Sequence, residues 1–155
     1  MIKNFKKAYT LIEMLIVVAI IGVLASSIII GLGASRSSAR DARRITDLKN
    51  VQTVLELHYN KYGFYPQTQA GAEHKIDWDE LNTYMTSTEV GLSINKLPND
   101  PLVNSGKKYF YATNGQSYVL GAELETKHSA LTESLRESRF GLSECLNDNM
   151  YCITM

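Results

Sequence analysis

Lys6-Lys7-Ala8-Tyr9-Thr10-Leu11-Ile12-Glu13, continued by the uncharged run from Met14 to Ser35, is the stretch on which the reading of this chain turns. Lys3, Lys6 and Lys7 form a short basic leader before 22 uncharged residues, and one carboxylate, Glu13, sits at the near end of that run. As a helix the run is about 33 Å long, enough for a hydrocarbon core of roughly 30 Å. Three readings compete. A cleaved secretory signal would be cut near Ala25-Ser26-Ser27, but it places Glu13 inside its apolar region. A plain signal anchor leaves Glu13 without a role, although a mid-membrane acid costs about 2.5–3.5 kcal/mol on insertion scales. The third reading gives the acid a partner. A cut between Ala8 and Tyr9 would leave an ammonium on Tyr9, four residues from Glu13. Pairing between neighbouring copies would then fix the axial offset of packed helices.

The rest of the 155-residue chain bounds these readings. Sixteen basic and sixteen acidic residues cancel, so net charge gives no argument for nucleic acid or an acidic partner. Loss of a leader ending at Ala8 would remove three basic groups and no acidic ones, leaving a net charge of −3. About 110 to 120 residues remain outside the apolar segment, enough for one modest core. The two cysteines, Cys145 and Cys152, fit no common zinc or redox spacing. They read as a disulfide behind an export segment, or else as two structural thiols. A ring that small stabilises by about 2–3 kcal/mol in the chain-entropy model.

The leader and the helix that follows, Met14-Leu15-Ile16-Val17-Val18-Ala19-Ile20-Ile21-Gly22-Val23-Leu24-Ala25, resemble the prepilin leader and N-terminal helix of type IV pilins and type II secretion pseudopilins. The resemblance implies a prepilin peptidase that cuts after Ala8 and methylates Tyr9, with Glu13 as the assembly acid. Ala8 stands where the family usually has Gly, and Tyr9 where it usually has Phe. Ile30 replaces the family's helix-breaking Pro, with Gly31 and Gly33 following. Counting flanking charges, three lysines against four arginines, leaves topology undecided; the cysteines and the resemblance place the C-terminal part outside the cytoplasm.

From Arg36 to Tyr62 the spacing predicts an amphipathic continuation of the helix. Ala42, Ile45, Leu48, Val51, Val54, Leu55, His58, Tyr59 and Tyr62 recur at threes and fours. Arg36, Arg40, Arg43, Arg44 and Asp47 are assigned to the other side, with Arg43 and Asp47 as an i,i+4 pair. That basic side reads as a solvated face, as a contact for acidic groups of neighbouring subunits, or as a contact for lipid head groups. Gly63 and Pro66 end the helix. Ala39 to Pro66 is similar to the same family's second half-helix, with its Gly-x-Tyr-Pro ending.

Asp77 to Thr86 predicts a short helix capped by Asp77, with Glu80 in the capping-box position and Trp78, Leu81 and Tyr84 or Met85 facing the core. Leu97-Pro98-Asn99-Asp100-Pro101 reads as a rigid turn, and it resembles the Leu-Pro-x-Asp-Pro segment of major pseudopilins. Asp100 reads as a turn former rather than a metal donor. Asn114-Gly115 predicts a two-residue type I′ hairpin loop that sets Thr113 opposite Gln116, Tyr111 opposite Tyr118 and Tyr109 opposite Leu120. Phe110, Ala112, Ser117 and Val119 fall on the other face. Thr126 to Arg139 reads as a helix with Ala130, Leu131, Leu135 and Phe140 as apolar contacts, and Tyr151 to Met155 as a last strand. Leu146 to Tyr151 would protrude as a polar loop.

Catalytic and metal signatures are absent from the sequence. His58, His74 and His128 lack ligand spacing, and no phosphate loop or nucleophile motif occurs. The resemblance to major pseudopilins implies a calcium-binding loop rich in aspartate after the hairpin. The corresponding Gly121-Ala122-Glu123-Leu124-Glu125-Thr126 has none, which argues against such a site. Asn147, Asp148 and Asn149 alone do not make a cage.

The expected fold is therefore α+β: a long N-terminal helix packed on a small antiparallel sheet, with a C-terminal disulfide loop. The expected divisions are a leader at 1–8, a transmembrane or filament-core half-helix at 9–35 and a head at 36–155 that includes the helix through 62. The resemblance implies a non-enzymatic, cofactor-free filament subunit that associates with itself, prepilin peptidase, the membrane assembly machinery and the lipid bilayer. It implies a single-pass bacterial membrane protein that passes into a pilus or pseudopilus. The competing expectation is a signal-anchored protein with an extracytoplasmic enzyme or receptor domain.

Overall fold

The helical period is realised in one 52-residue helix, α1 (Leu11–Tyr62). The computed structural model describes residues 9–67, 74–132, 134, 136–140 and 142–155, with backbone alone at 27–32 and 74. The chain divides into two units, one ending at Arg36 and one running from Ser37 to Met155.

In the first unit the described side chains from Tyr9 to Ser26 are all exposed, and nearly all are apolar. Among the described residues no helix is long and apolar enough to cross a membrane. The side chains of 27–32, inside the uncharged run, lie outside those described.

The second unit is built on the C-terminal part of α1. Leu48, Val51 and Leu55 are fully buried at helical spacing. The helix stops where Gly63 takes a left-handed φ of 76° and its amide donates to the Tyr59 carbonyl at 2.7 Å, a conformation that favours glycine. Four antiparallel strands follow in sheet order β1 (His74–Ile76), β2 (Phe110–Thr113), β3 (Tyr118–Glu123) and β4 (Met150–Thr154). Between β1 and β2 lies α2 (Trp78–Met85), whose cap Asp77 accepts from the Asp79 amide. Trp78, Leu81 and Met85 face inward; Tyr84, the alternative to Met85, is 39% exposed.

Period-two alternation divides the sheet residues between two cores. On one face Tyr109, Tyr111, Tyr118, Leu120 and Ala122 pack with Leu48, Val51, Leu55 and α2. On the other, Ala112 and Val119 pack with Leu142, Cys145, Met150 and Cys152. Gly121 belongs to this second face because an added Cβ would stand 3.1 Å from the Cys152 sulfur. The buried tyrosines are satisfied core residues. Tyr109 donates to Asp47, Tyr111 to the Pro66 carbonyl, and Tyr118 and Tyr65 to Glu56.

Two expectations fail here. The hairpin register is Thr113 opposite Tyr118 and Tyr111 opposite Leu120, not the pairing that a two-residue loop requires. A type I′ loop needs positive φ at both central residues, yet only Gly115 of the pair has one, at 86°. Asn114 instead uses its side-chain oxygen to accept from the Gln116 and Ser117 amides, at 3.0 and 2.8 Å, closing a wider turn. The shift preserves parity, so the face assignment of the strands is unchanged.

The α-helix expected from Thr126 to Arg139 does not form; among its described residues the helical part is the 3-10 turn Ser129–Thr132, and Arg139 makes an isolated bridge to Leu142. Hydroxyl side chains compete with helical hydrogen bonding in this stretch. The Ser134 hydroxyl accepts from the Cys152 amide at 2.7 Å and donates to the Met150 carbonyl at 3.1 Å, holding the chain along β4. Leu131 is buried, Ala130 packs on the first core and Phe140 on the second. Leu135 lies outside the described residues.

Candidate functional site

Two constellations stand out, one in each unit. The first is the start of α1. Thr10-Leu11-Ile12-Glu13 forms a reciprocal capping box: the Glu13 carboxylate accepts from the Thr10 amide at 2.7 Å and from its hydroxyl at 2.8 Å. The Glu13 amide donates back to the Thr10 hydroxyl at 3.3 Å. Such a box satisfies amides that the helix start leaves unpaired. The signal is present in the sequence as Thr-x-x-Glu before an apolar run. Tyr9 is 78% exposed, and Ala8 lies outside the described residues.

The second constellation lies within the head. Arg44, assigned by the sequence reading to a basic outer side, is fully buried. Its Nε and Nη2 donate to the two oxygens of Asp100, at 2.7 and 3.0 Å. Its Nη1 donates to Asp41 at 2.8 Å and to Glu125 at 2.7 Å. Arg40 grips Glu125 from outside with two bonds of 2.7 and 2.5 Å. The basic side is thus divided: Arg44 is core, Arg40 is half-buried, and Arg43 stays outward, 3.6 Å from Asp47. Periodicity misassigned Arg44 because its three acids lie far apart in sequence, and only the fold gathers them.

The electrostatics follow from that gathering. Burial works against the Arg44 charge, but hydrogen bonds to Asp100, Glu125 and Asp41 outweigh it and raise its pKa, so the guanidinium stays charged. Burial likewise pushes the Asp41 carboxyl up. The Glu125 and Thr126 amides, the Thr126 hydroxyl and Arg44 hold it below the usual range. Glu125 is lowered to about 2, first by its hydrogen bonds to Arg40 and then, against burial, by Arg44. Asp100 forms its turn as expected, accepting from the Leu102 amide at 2.7 Å, and its carboxylate is committed to Arg44.

The calcium implied by resemblance does not fit this head. The two carboxylates of the segment after the hairpin are both held by protein cations, Glu123 by Lys107 at 2.6 Å and Glu125 by the two arginines. The expected disulfide is present: Cys145 and Cys152 are bonded, with Cα atoms 5.9 Å apart. Of the loop it closes, Leu146 to Asn149 is exposed, but Met150 and Tyr151, expected to protrude with it, are buried in β4, where strand pairing turns them inward.

Residues 3–29 match the prokaryotic N-terminal methylation motif. Type II secretion system core protein G of Vibrio cholerae is 28% identical over 120 residues, covering 74% of this chain and 80% of that protein. The proteins of that name from Escherichia coli and Pseudomonas aeruginosa are each 28% identical. The alignments cover 68% and 76% of this chain, and 77% and 84% of theirs. No solved structure matches the chain. A methylation motif leading into α1, and similarity running over two thirds or more of the chain, make this protein similar to the type II secretion system core proteins G.

Proposed function

We propose that this chain is a structural, non-enzymatic subunit of a pseudopilus or pilus-like filament, processed by prepilin peptidase and polymerised through α1. The observation that carries the reading is the methylation motif running directly into a helix start whose described apolar side chains are exposed. Lipid covers such a surface before assembly, and the helices of neighbouring copies cover it afterwards. Ejection from the bilayer is then offset by equivalent burial among helices. The parts are a leader at 1–8, a membrane or filament-core segment at 9–35 and a head at 36–155 outside the cytoplasm of a bacterial cell. Ala8 precedes the cut, Tyr9 is the methylated terminus, and Glu13 sets the stagger between subunits. The capping box supports that last role, because it holds the Glu13 carboxylate beside the start of the helix.

Similarity to core protein G favours the secretion pseudopilus over a surface pilus. Electron microscopy of sheared cell-surface material distinguishes them, since a pseudopilus does not normally extend outside. Mass spectrometry of the mature N-terminus tests the processing. The expected peptide starts at Tyr9 and is heavier by one methyl group. Molecules that mostly retain Lys6 and Lys7 would instead support the signal-anchored alternative.

A further inference from the structure

The segment after the hairpin raises a separate question: what holds it. The calcium loop that the resemblance to major pseudopilins implies there requires oxygen ligands around a hard cation, and the side chains that could supply them are otherwise engaged. Three carboxylates from three parts of the chain converge on one guanidinium: Asp41 of α1, Asp100 of the proline turn and Glu125 beyond β3. Around Nη1 alone, the oxygens of Asp41 and Glu125 lie at 2.8 and 2.7 Å. Calcium would draw such oxygens in by only a few tenths of an ångström, to about 2.3–2.6 Å. Asp41 also accepts from the backbone amides of Glu125 and Thr126, at 2.9 and 2.8 Å, and from the Thr126 hydroxyl at 2.7 Å. The Leu124 amide donates to the Asn149 carbonyl at 2.8 Å. The segment is therefore fixed through both backbone and side chain.

We infer that Arg44, backed by Arg40, is a built-in cation. It neutralises and orders the segment after the hairpin, in place of the metal ion that the resemblance to major pseudopilins implies there, so this head folds and stays locked without calcium. A guanidinium suits the task because its planar fork serves several carboxylate oxygens at once. It remains charged under burial, and no chelator can remove it. The low pKa of Glu125 agrees with a carboxylate held between two cations. The inference concerns the head alone and is independent of whether the chain polymerises.

The test uses the full-length protein in detergent micelles, heated in excess EGTA and again in millimolar calcium. Circular dichroism follows unfolding, and trypsin cleavage after the exposed Lys127 reports on the segment itself. The two unfolding temperatures are expected to agree to within about 1 °C, because an ion without a site adds no linkage stabilisation. A saturable rise of several degrees with calcium, or calcium protection of Lys127, would overturn the inference. Arg44→Met in EGTA is expected to unfold about 10 °C or more below the parent, as loss of one partner strands buried charge. If that variant does not fold, Arg40→Met carries the test. It removes only the outer cation and should speed cleavage after Lys127 several-fold, with a smaller loss in unfolding temperature. Parent-like melting and cleavage of the variant tested would sink the idea.

Discussion

Arg44 shows how little a residue's type says about its place. An arginine at the edge of an apolar stripe ordinarily extends toward solvent, yet here it is core, because Asp41, Asp100 and Glu125 together satisfy it. His58 is a second case. It is fully buried, with Nδ1 2.9 Å from the Phe64 carbonyl and Nε2 3.3 Å from the Tyr84 hydroxyl. The first contact makes Nδ1 the donor, which leaves Nε2 to accept from Tyr84. Burial lowers its pKa, only partly opposed by the Phe64 carbonyl, and the Lys61 charge adds to the lowering. The unfolded chain therefore binds the proton more readily than the fold. The stabilisation is complete above the unfolded value near 6.5 and is lost as pH falls through it toward the lower folded value. Thermal unfolding of the parent should thus weaken between pH 7 and 5. In His58→Gln that part of the slope should flatten, and an unchanged slope would assign the acid sensitivity to another group.

At the scale of elements, the sheet is held between two covers. α1 and α2 cover one face, and the stretch carrying Leu142, Cys145 and Cys152 covers the other. The second cover has little regular structure and only a small apolar set, so its cross-link matters more than it would in the first. Both cysteines are buried, at 0% and 1% exposure, and they tie the 3-10 turn Ser143–Leu146 to β4. The double variant Cys145→Ser, Cys152→Ser is expected to lose about 2–5 kcal/mol. The measurement is denaturant unfolding of the full chain, with reduced parent protein as the control. If reduction and substitution both leave the midpoint unmoved, apolar packing alone is sufficient for this cover.

For the molecule as a whole, the relevant surface is the apolar helix of the first unit. Its described side chains are exposed in the single chain, and apolar area of that extent requires a partner or lipid. The Glu13 hydrogen bonds at the start of this surface are local, so the carboxylate can exchange Thr10 for a group on a neighbour at modest net cost. Glu13→Leu should insert in the membrane as well as the parent, since it removes a charge, while filament yield falls at least tenfold. Immunoblotting of membrane and sheared filament fractions measures both, and a normal filament yield would remove Glu13 from the assembly role.

The sequence by itself determined what depends on neighbours along the chain. The apolar run, the helical stripe from Leu48 to Leu55, the stop at Gly63 and the Asp77 cap are local signals of spacing and backbone preference, and the structure contains each of them. The faces of the β2–β3 hairpin were legible for the same reason, since alternation survives a register shift of even parity. The register itself was not legible. It turned on whether Asn114 took a positive φ or used its side chain as an acceptor, and both are compatible with the same dipeptide. The segment from Thr126 to Arg139 carried a weak helical period that lost to the hydrogen bonds Ser134 makes with β4. Arg44 was decided by tertiary structure alone. Its acids stand 3, 56 and 81 positions away, and a buried charge is tolerable only when all of its partners arrive together.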